Sequence, residues 1–336
     1  MVTIPKLTIG YATHNRRDCI VRRLRSLLLK SIPDYIEIII IDNHSDDGTF
    51  EAISELSKNS KIRVYQNESN VGFAGNFLEV LKRAHGDYVM WSSDEDEISF
   101  EGVERFIDWM GRKKLNAIFL NHYRKESTGK LLPLRKNNTR RVRFYEIWEC
   151  CHLPAIVWNR LIVKEKLNDF AINKEKYPEL SKYYPNLLLS ISLSPFKRNY
   201  FYNGYITYQI DFEKSQHTSK KGAQYYHLNP RWLQHNELVD FIHSMILEEE
   251  NLGRQKFLKK MVISLNRNLY GYLSEAIRQE NPHLYSYFSR SGTPLYVLRR
   301  WYQLLKLVIK SIFDNPFLAM SRIKKRLINR YLNNKL

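Results

Sequence analysis

Over roughly the first third of the chain, short apolar runs alternate with stretches in which apolar residues return every three or four positions. Residues 7–12 read as a strand, and 18–30 as a helix with Ile20, Leu24, Leu27 and Leu28 on one face. Residues 35–41 form a second strand, rich in β-branched side chains and apolar on both faces, as a parallel strand buried from both sides should be. The alternation continues with a helix to about residue 58, a strand at 62–66 and a glycine-containing loop at 70–76. A helix at 77–84, a strand at 88–91, a helix at 100–113 and a strand at 117–121 follow. Strands alternating with helices imply an α/β fold, a doubly wound and mostly parallel sheet with helices on both faces and right-handed crossovers.

Beyond residue 121 the pattern loosens. Residues 123–143 are basic and turn-rich, which suggests an exposed hairpin or loop, and apolar content returns over 144–167. A helix is expected over 177–195, entered through Pro178 and Pro185, then an alternating strand at 200–208 and a polar loop at 211–224. From Asn229 on the periodicity is helical, at 232–252, 254–280 and 294–312. These shifts divide the chain into an α/β domain, 1–225, and a helical C-terminal region, 226–336.

The chemistry concentrates where the fourth strand ends, in Gly86-Asp87-Tyr88-Val89-Met90-Trp91-Ser92-Ser93-Asp94-Glu95-Asp96. The carboxyl ends of parallel strands form the mouth at which open α/β sheets bind ligands. From an extended backbone Asp94 and Asp96 would point the same way and offer hard oxygen ligands to Mg²⁺ or Mn²⁺, which in turn suits a diphosphate. The alternative is a solvated acidic turn at the start of the next helix, capped by Ser99.

Composition narrows the classes. A chain of 336 residues, 43% hydrophobic and 26% charged, has ample material for a folded core. Its cysteines, Cys19, Cys150 and Cys151, show neither metal-ligand spacing nor an even-numbered framework, so the chain reads as reduced and cytosolic. Cys150 and Cys151 read as core residues. No signal peptide and no apolar run long enough to span a bilayer is visible. The net charge of +18 is uneven, for from Arg290 onward Asp314 is the only acid. Such a tail implies attraction to something anionic, phospholipid head groups or nucleic acid.

Four motifs in order resemble family 2 glycosyltransferases of the GT-A fold. They are Tyr11-Ala12-Thr13-His14-Asn15-Arg16, Ile41-Asp42-Asn43-His44-Ser45-Asp46-Asp47-Gly48-Thr49, Asn70-Val71-Gly72-Phe73-Ala74-Gly75-Asn76, and the strand ending at Asp96. The resemblance implies that Thr13, His14, Asn15 and Arg16 lie over the base and ribose of a nucleotide-sugar, and that Asp42 accepts a pyrimidine N–H. It also implies donor contacts from Asn70, Gly72, Phe73 and Asn76, a place for Asp94 near ribose and metal, and Asp96 as catalytic metal ligand. His217, with Lys220 and Lys221 beside it, resembles the late histidine that completes the metal or diphosphate site. Plainer roles stand beside these: exposed loop residues for His14 and Arg16, a strand terminator in Asp42, a helix cap in Asn76, a solvated basic loop around His217.

The departure concerns the base. Inverting members carry an acid at the start of a helix beyond the metal motif, to deprotonate the acceptor hydroxyl. Here Asn186 stands near that place, and an amide is no base. Glu179 is the nearest candidate, its alternative being an acid in the first turn of a helix behind Pro178. A retaining enzyme would need no such base.

The expected protein is thus a Mn²⁺- or Mg²⁺-dependent glycosyltransferase. It would move a sugar from a UDP-sugar to a lipid-linked acceptor in capsule, O-antigen or lipooligosaccharide assembly. The helices around 295–310 and 316–332 interleave apolar residues with Arg and Lys, which suits an anionic membrane surface at the inner face of the cytoplasmic membrane. A basic nucleic-acid-binding protein and a nucleotidyltransferase are the other classes. No nucleic-acid-binding signature supports the first, and no glycine- and arginine-rich loop after the first strand supports the second, so no nucleic-acid partner is expected.

Overall fold

The computed structural model describes residues 4–265 apart from 58–60, 112, 127, 134–137, 143–152, 194–197, 210–227 and 264. The chain divides into two compact units, residues 1–223 with 233–268 and residues 224–232 with 269–336, and the described residues fall almost wholly in the first. Cys150, Cys151, His217, Lys220, Lys221 and the basic helices expected beyond residue 265 lie outside the described residues.

The expected alternation is present: β1 (Leu7–Thr13), α1 (Arg17–Leu28), β2 (Ile36–Asp42), α2 (Thr49–Leu56), β3 (Ile62–Gln66), α3 (Gly72–Arg83) and β4 (Tyr88–Ser92). After it come β5 (Asp96–Ile98), α4 (Phe100–Met110), β6 (Ala117–Leu120), β7 (Tyr123–Lys125), β8 (Leu131–Pro133) and β9 (Arg140–Arg141). The remainder is β10 (Ile156–Asn159), α5 (Arg160–Lys176), α6 (Pro178–Tyr183), α7 (Pro185–Leu193), β11 (Asn199–Tyr202), β12 (Thr207–Gln209) and α8 (Leu228–Glu248).

An eight-stranded sheet runs β3-β2-β1-β4-β10-β6-β11-β9. β1, β2, β3 and β4 are parallel, and β10 is inserted antiparallel between β4 and β6. The chain moves outward from β1 through β2 to β3, then returns to place β4 on the other side of β1. That reversal opens a crevice at the carboxyl ends of β1 and β4, the usual ligand site of such sheets.

The isoleucines of β2 show why the sheet is buried on both faces. Ile39 and Ile41 pack with Phe77, Val80 and Leu81 of α3 in a core that also takes side chains from α5 to α8. Ile36, Ile38 and Ile40 point the other way, towards Leu24 and Leu27 of α1, Ile53 of α2 and Phe106 of α4. α3 approaches β1 so closely that a Cβ on Gly10 would stand 2.1 Å from Cγ1 of Val80.

Three local features differ from the sequence pattern. The expected loop at 70–76 is mostly helix, since α3 begins at Gly72, whose φ of +71° turns the chain into it. The expected helix over 177–195 is two, α6 and α7, each opening on a proline. The single strand expected at 200–208 is also two. β11 joins the large sheet, while β12 joins a second, four-stranded sheet ordered β5-β12-β7-β8. The basic stretch after Tyr123 does form a hairpin, β7 antiparallel to β8.

Candidate active site

The loops after β1 and β2 hold each other. Asn15, at φ +51°, donates its backbone N–H to Ser45 Oγ at 2.9 Å, and its Oδ1 accepts the N–H of Asp46 at 3.0 Å. Asparagine tolerates that left-handed backbone better than most residues. Asp47 accepts from the N–H of Arg17 at 3.2 Å and of Thr49 at 3.0 Å, joining the starts of α1 and α2.

Asp42 ends β2 with 0% exposure, accepting from Ser45 N at 3.0 Å, from Ser45 Oγ and from Gln66 Nε2 at 3.1 Å. Its first structural role is therefore to organise the loop that follows. Asn76 lies inside α3 and so caps nothing. Its Nδ2 donates to the carbonyls of Thr13 and Ile41, both at 3.3 Å, and its Oδ1 accepts from Asn67, so one buried amide ties together the ends of β1 and β2.

Asn70 joins the cluster with a defined orientation. Its Oδ1 accepts from Asn43 Nδ2 at 2.7 Å and Gly72 N at 2.9 Å, which leaves Nδ2 to donate to His14 Nε2 at 3.0 Å. An amide NH₂ is only a donor, so neutral His14 carries its proton on Nδ1. Phe73, partly exposed at the start of α3, sets its ring edge-on to Trp91 with centroids 5.9 Å apart.

The carboxylate cluster is not a solvated turn, for Asp94 is 7% and Asp96 3% exposed. Nor is its backbone extended, since Asp96 N donates to Ser93 O at 3.1 Å and so closes a tight turn between β4 and β5. The turn separates the fates of the two acids. Arg16 bridges Asp94 (Nε to Oδ2, 2.7 Å) and Glu95 (Nη2 to Oε1, 2.6 Å), bringing the first-strand loop onto the acidic turn. Asp96 keeps Oδ2 without a hydrogen-bond partner, while its Oδ1 stands 4.0 Å from His122 Nε2. Burial pushes the Asp96 carboxyl up from 3.8 to about 7; Arg23 opposes that rise, and Glu95 and Asp94 add to it. Burial also raises Asp94, against the pull of Arg16. Ser99 accepts from Gly102 N at 3.0 Å, so the capping role expected of it is real and coexists with the buried carboxylates.

Near Asp96 the structure places charged and imidazole groups that no sequence motif marks. Arg23, on the buried face of α1 and only 4% exposed, pairs with Glu97, which also takes Ser26 Oγ and Lys30 Nζ at 3.0 Å. The helical face that carries Ile20, Leu24 and Leu27 includes position 23, and a charge there was the available signal. His122 follows the apolar run of β6 by two residues, a polar position just beyond the end of a buried strand like those after the first four strands. Glu179 sits half-buried in the first turn of α6, whose Leu180 N–H is capped by Glu237 at 2.7 Å. Asn186, buried at the start of α7, has an unpartnered Oδ1. Among the described residues, Glu179 makes no hydrogen bond or ion pair to Asp94 or Asp96.

Among the described residues no three His, Cys, Asp or Glu side chains converge on one metal position. The donor chemistry nevertheless fits a hard divalent cation. Asp96 presents a buried carboxylate oxygen with nothing to satisfy it, and ions of the Mg²⁺ type are commonly held by one or two carboxylates with substrate phosphates completing the shell.

Sheet order, the crevice between β1 and β4 and the acidic turn at its mouth define the GT-A fold of nucleotide-sugar glycosyltransferases. The same fold is seen in Staphylococcus aureus TarS residues 1–349, solved in complex with UDP. The two superpose with a TM-score of 0.58 over 82% of this chain and 75% of that one, at 16% identity. Residues 8–179, just over half of the chain, match the model of glycosyl transferase family 2, and the chain belongs to that family. Among curated relatives, the putative teichuronic acid biosynthesis glycosyltransferase TuaG of Bacillus subtilis is 31% identical over 107 residues, 32% of this chain and 42% of that protein. The GalNAc(5)-diNAcBac-PP-undecaprenol beta-1,3-glucosyltransferase of Campylobacter jejuni is 30% identical over 97 residues, 28% of this chain and 31% of that protein. The matched segments span less than half of either relative.

Proposed function

We propose that this protein is a metal-dependent glycosyltransferase that transfers a sugar from a UDP-sugar to a lipid-linked acceptor in the assembly of a bacterial surface glycan. The observation that carries the reading is the buried, unpartnered Asp96 oxygen at the mouth of the β1/β4 crevice. A carboxylate kept dry and unsatisfied costs stability, and such groups persist where a ligand completes them. The relatives named above, one acting on an undecaprenol-linked acceptor, support the substrate class.

In this reading Asp96, with Asp94 beside it, would hold Mn²⁺ or Mg²⁺, whose chemistry there would be neutralisation of charge on a leaving diphosphate. Thr13, His14, Asn15 and Arg16 with Asn70, Gly72, Phe73 and Asn76 form the donor wall. The ties from Asn76 and Asp47 keep that wall in place before the donor arrives. Asp42 accepts a pyrimidine N–H. Glu179 takes the acceptor proton if configuration inverts, His217 completes the diphosphate site, and the basic segment beyond residue 265 brings the enzyme to the inner face of the membrane.

Thermal stability with UDP, CDP, dTDP and GDP, each with and without Mn²⁺, tests this. A rise with UDP that requires Mn²⁺ and is lost in Asp96→Asn is expected by linkage. Equal stabilisation in the Asp96→Asn variant would overturn the assignment.

A further inference from the structure

The four-stranded sheet puts more than Asp96 on one of its faces. In its register Asp96 of β5 is opposite Gln209 of β12, which is opposite Arg124 of β7. Residues directly opposite each other across a ladder share a face, and residues two apart on one strand share it too. His122 stands two before Arg124 and is therefore directed to the same side. The side chains agree with this parity. His122 is 5% exposed with Nε2 4.0 Å from Asp96 Oδ1, while Lys125 and Tyr208, of the opposite parity, meet each other at 5.9 Å.

A separation of 4.0 Å is too long for a hydrogen bond. It is, however, a spacing that two ligands of one small divalent ion adopt. With ligand distances of about 2.0–2.2 Å, two donors lie about 3 Å apart when at right angles and about 4.2 Å apart when opposed. Asp96 contributes an oxygen and His122 an aromatic nitrogen, both almost wholly buried.

We propose that His122, at the β6–β7 junction, is a nitrogen ligand of the divalent cation held at Asp96. The proposal rests on the metal-dependent reading above and is independent of His217. It also predicts which cation binds better, because an imidazole nitrogen raises affinity for Mn²⁺ over Mg²⁺, which prefers an all-oxygen shell.

The test is spectroscopic and uses the full chain with Mn²⁺, alone and with UDP. Electron paramagnetic resonance counts free Mn²⁺ and gives its affinity, and electron spin-echo modulation detects nitrogen bonded to the ion. Bound Mn²⁺ should show ¹⁴N modulation that survives in His217→Ala and vanishes in His122→Ala, with affinity weaker by at least about tenfold, the loss that even outer-sphere partners of a ligand can cause. If His122→Ala does not fold, His122→Phe, which keeps a ring of similar bulk and has no ring nitrogen, decides: the ¹⁴N modulation must vanish. Modulation that persists in His122→Ala, or bound Mn²⁺ without nitrogen modulation in the His217→Ala protein, overturns the proposal while leaving metal dependence intact. Failure of the unmodified protein to bind Mn²⁺, or binding unchanged in Asp96→Asn, overturns the metal-dependent reading and this proposal with it.

Discussion

Replacing Asp96 by asparagine should stabilise the metal-free protein, and should do so increasingly as the pH rises. Burial, with Glu95 and Asp94 close by, lifts the Asp96 carboxyl from 3.8 to about 7 despite the opposing charge of Arg23. Between those two values the native state keeps a proton that the unfolded chain has released. The native state then binds more protons, so unfolding free energy falls as pH rises through the window. The displacement of about 3 on the pH scale corresponds to about 4 kcal/mol once Asp96 is ionised in both states. Asparagine carries no charge at any pH and keeps nearly the same shape, so its unfolding curve lacks this descent.

The difference between variant and parent should grow by about 2–3 kcal/mol between pH 5 and pH 8. Groups such as Glu97, whose carboxyl is held below its ordinary value by Arg23 and Lys30 despite its burial, titrate with the opposite sign and cancel in the difference. Urea denaturation in EDTA at several pH values measures it. A difference that stays flat with pH, or a variant less stable than the parent at pH 8, would show that burial does not hold the Asp96 proton in the native state. The same variant should lose stabilisation by Mn²⁺ with UDP, which would mark Asp96 as a group kept at a cost to stability for its ligand.

Removing Arg23 leaves Glu97 with only Ser26 and Lys30, and Arg23→Met should cost about 3–5 kcal/mol; a double-mutant cycle with Glu97→Gln should return a coupling above about 1 kcal/mol, and no coupling would mean the pair is incidental. Asn76→Ala strips an amide donor from the buried carbonyls of Thr13 and Ile41 and should lower stability by about 2–3 kcal/mol and weaken UDP binding, whereas an unchanged urea midpoint would show the tie to be dispensable. Gly10→Ala drives a methyl group into Val80, a loss of about 1–3 kcal/mol that Gly10→Ala with Val80→Ala should largely recover; absence of recovery would point to a backbone cause.

The layered α/β plan was legible because its signals are local. Five isoleucines in β2 can be buried only if both faces of a sheet are covered, and the spacing of Ile20, Leu24 and Leu27 assigns α1 to one of those faces whatever lies elsewhere. The motif loops were legible for a related reason, since polar residues directly after a buried strand must emerge at the sheet's carboxyl edge. Periodicity failed where one pattern serves two partners. Residues 200–208 alternate throughout, yet β11 and β12 pair in different sheets, because alternation records half-burial and not the neighbour that provides it. Element order, buried faces and the cluster of acids after β4 are thus written in local sequence pattern. The three-dimensional packing alone brings Arg16 to Asp94 and Glu95, Arg23 to Glu97, and His122 to Asp96 across 26 residues of chain. Those pairs depend on strand register and helix docking, which are set by the summed packing of the whole domain and leave no periodic trace in any short segment.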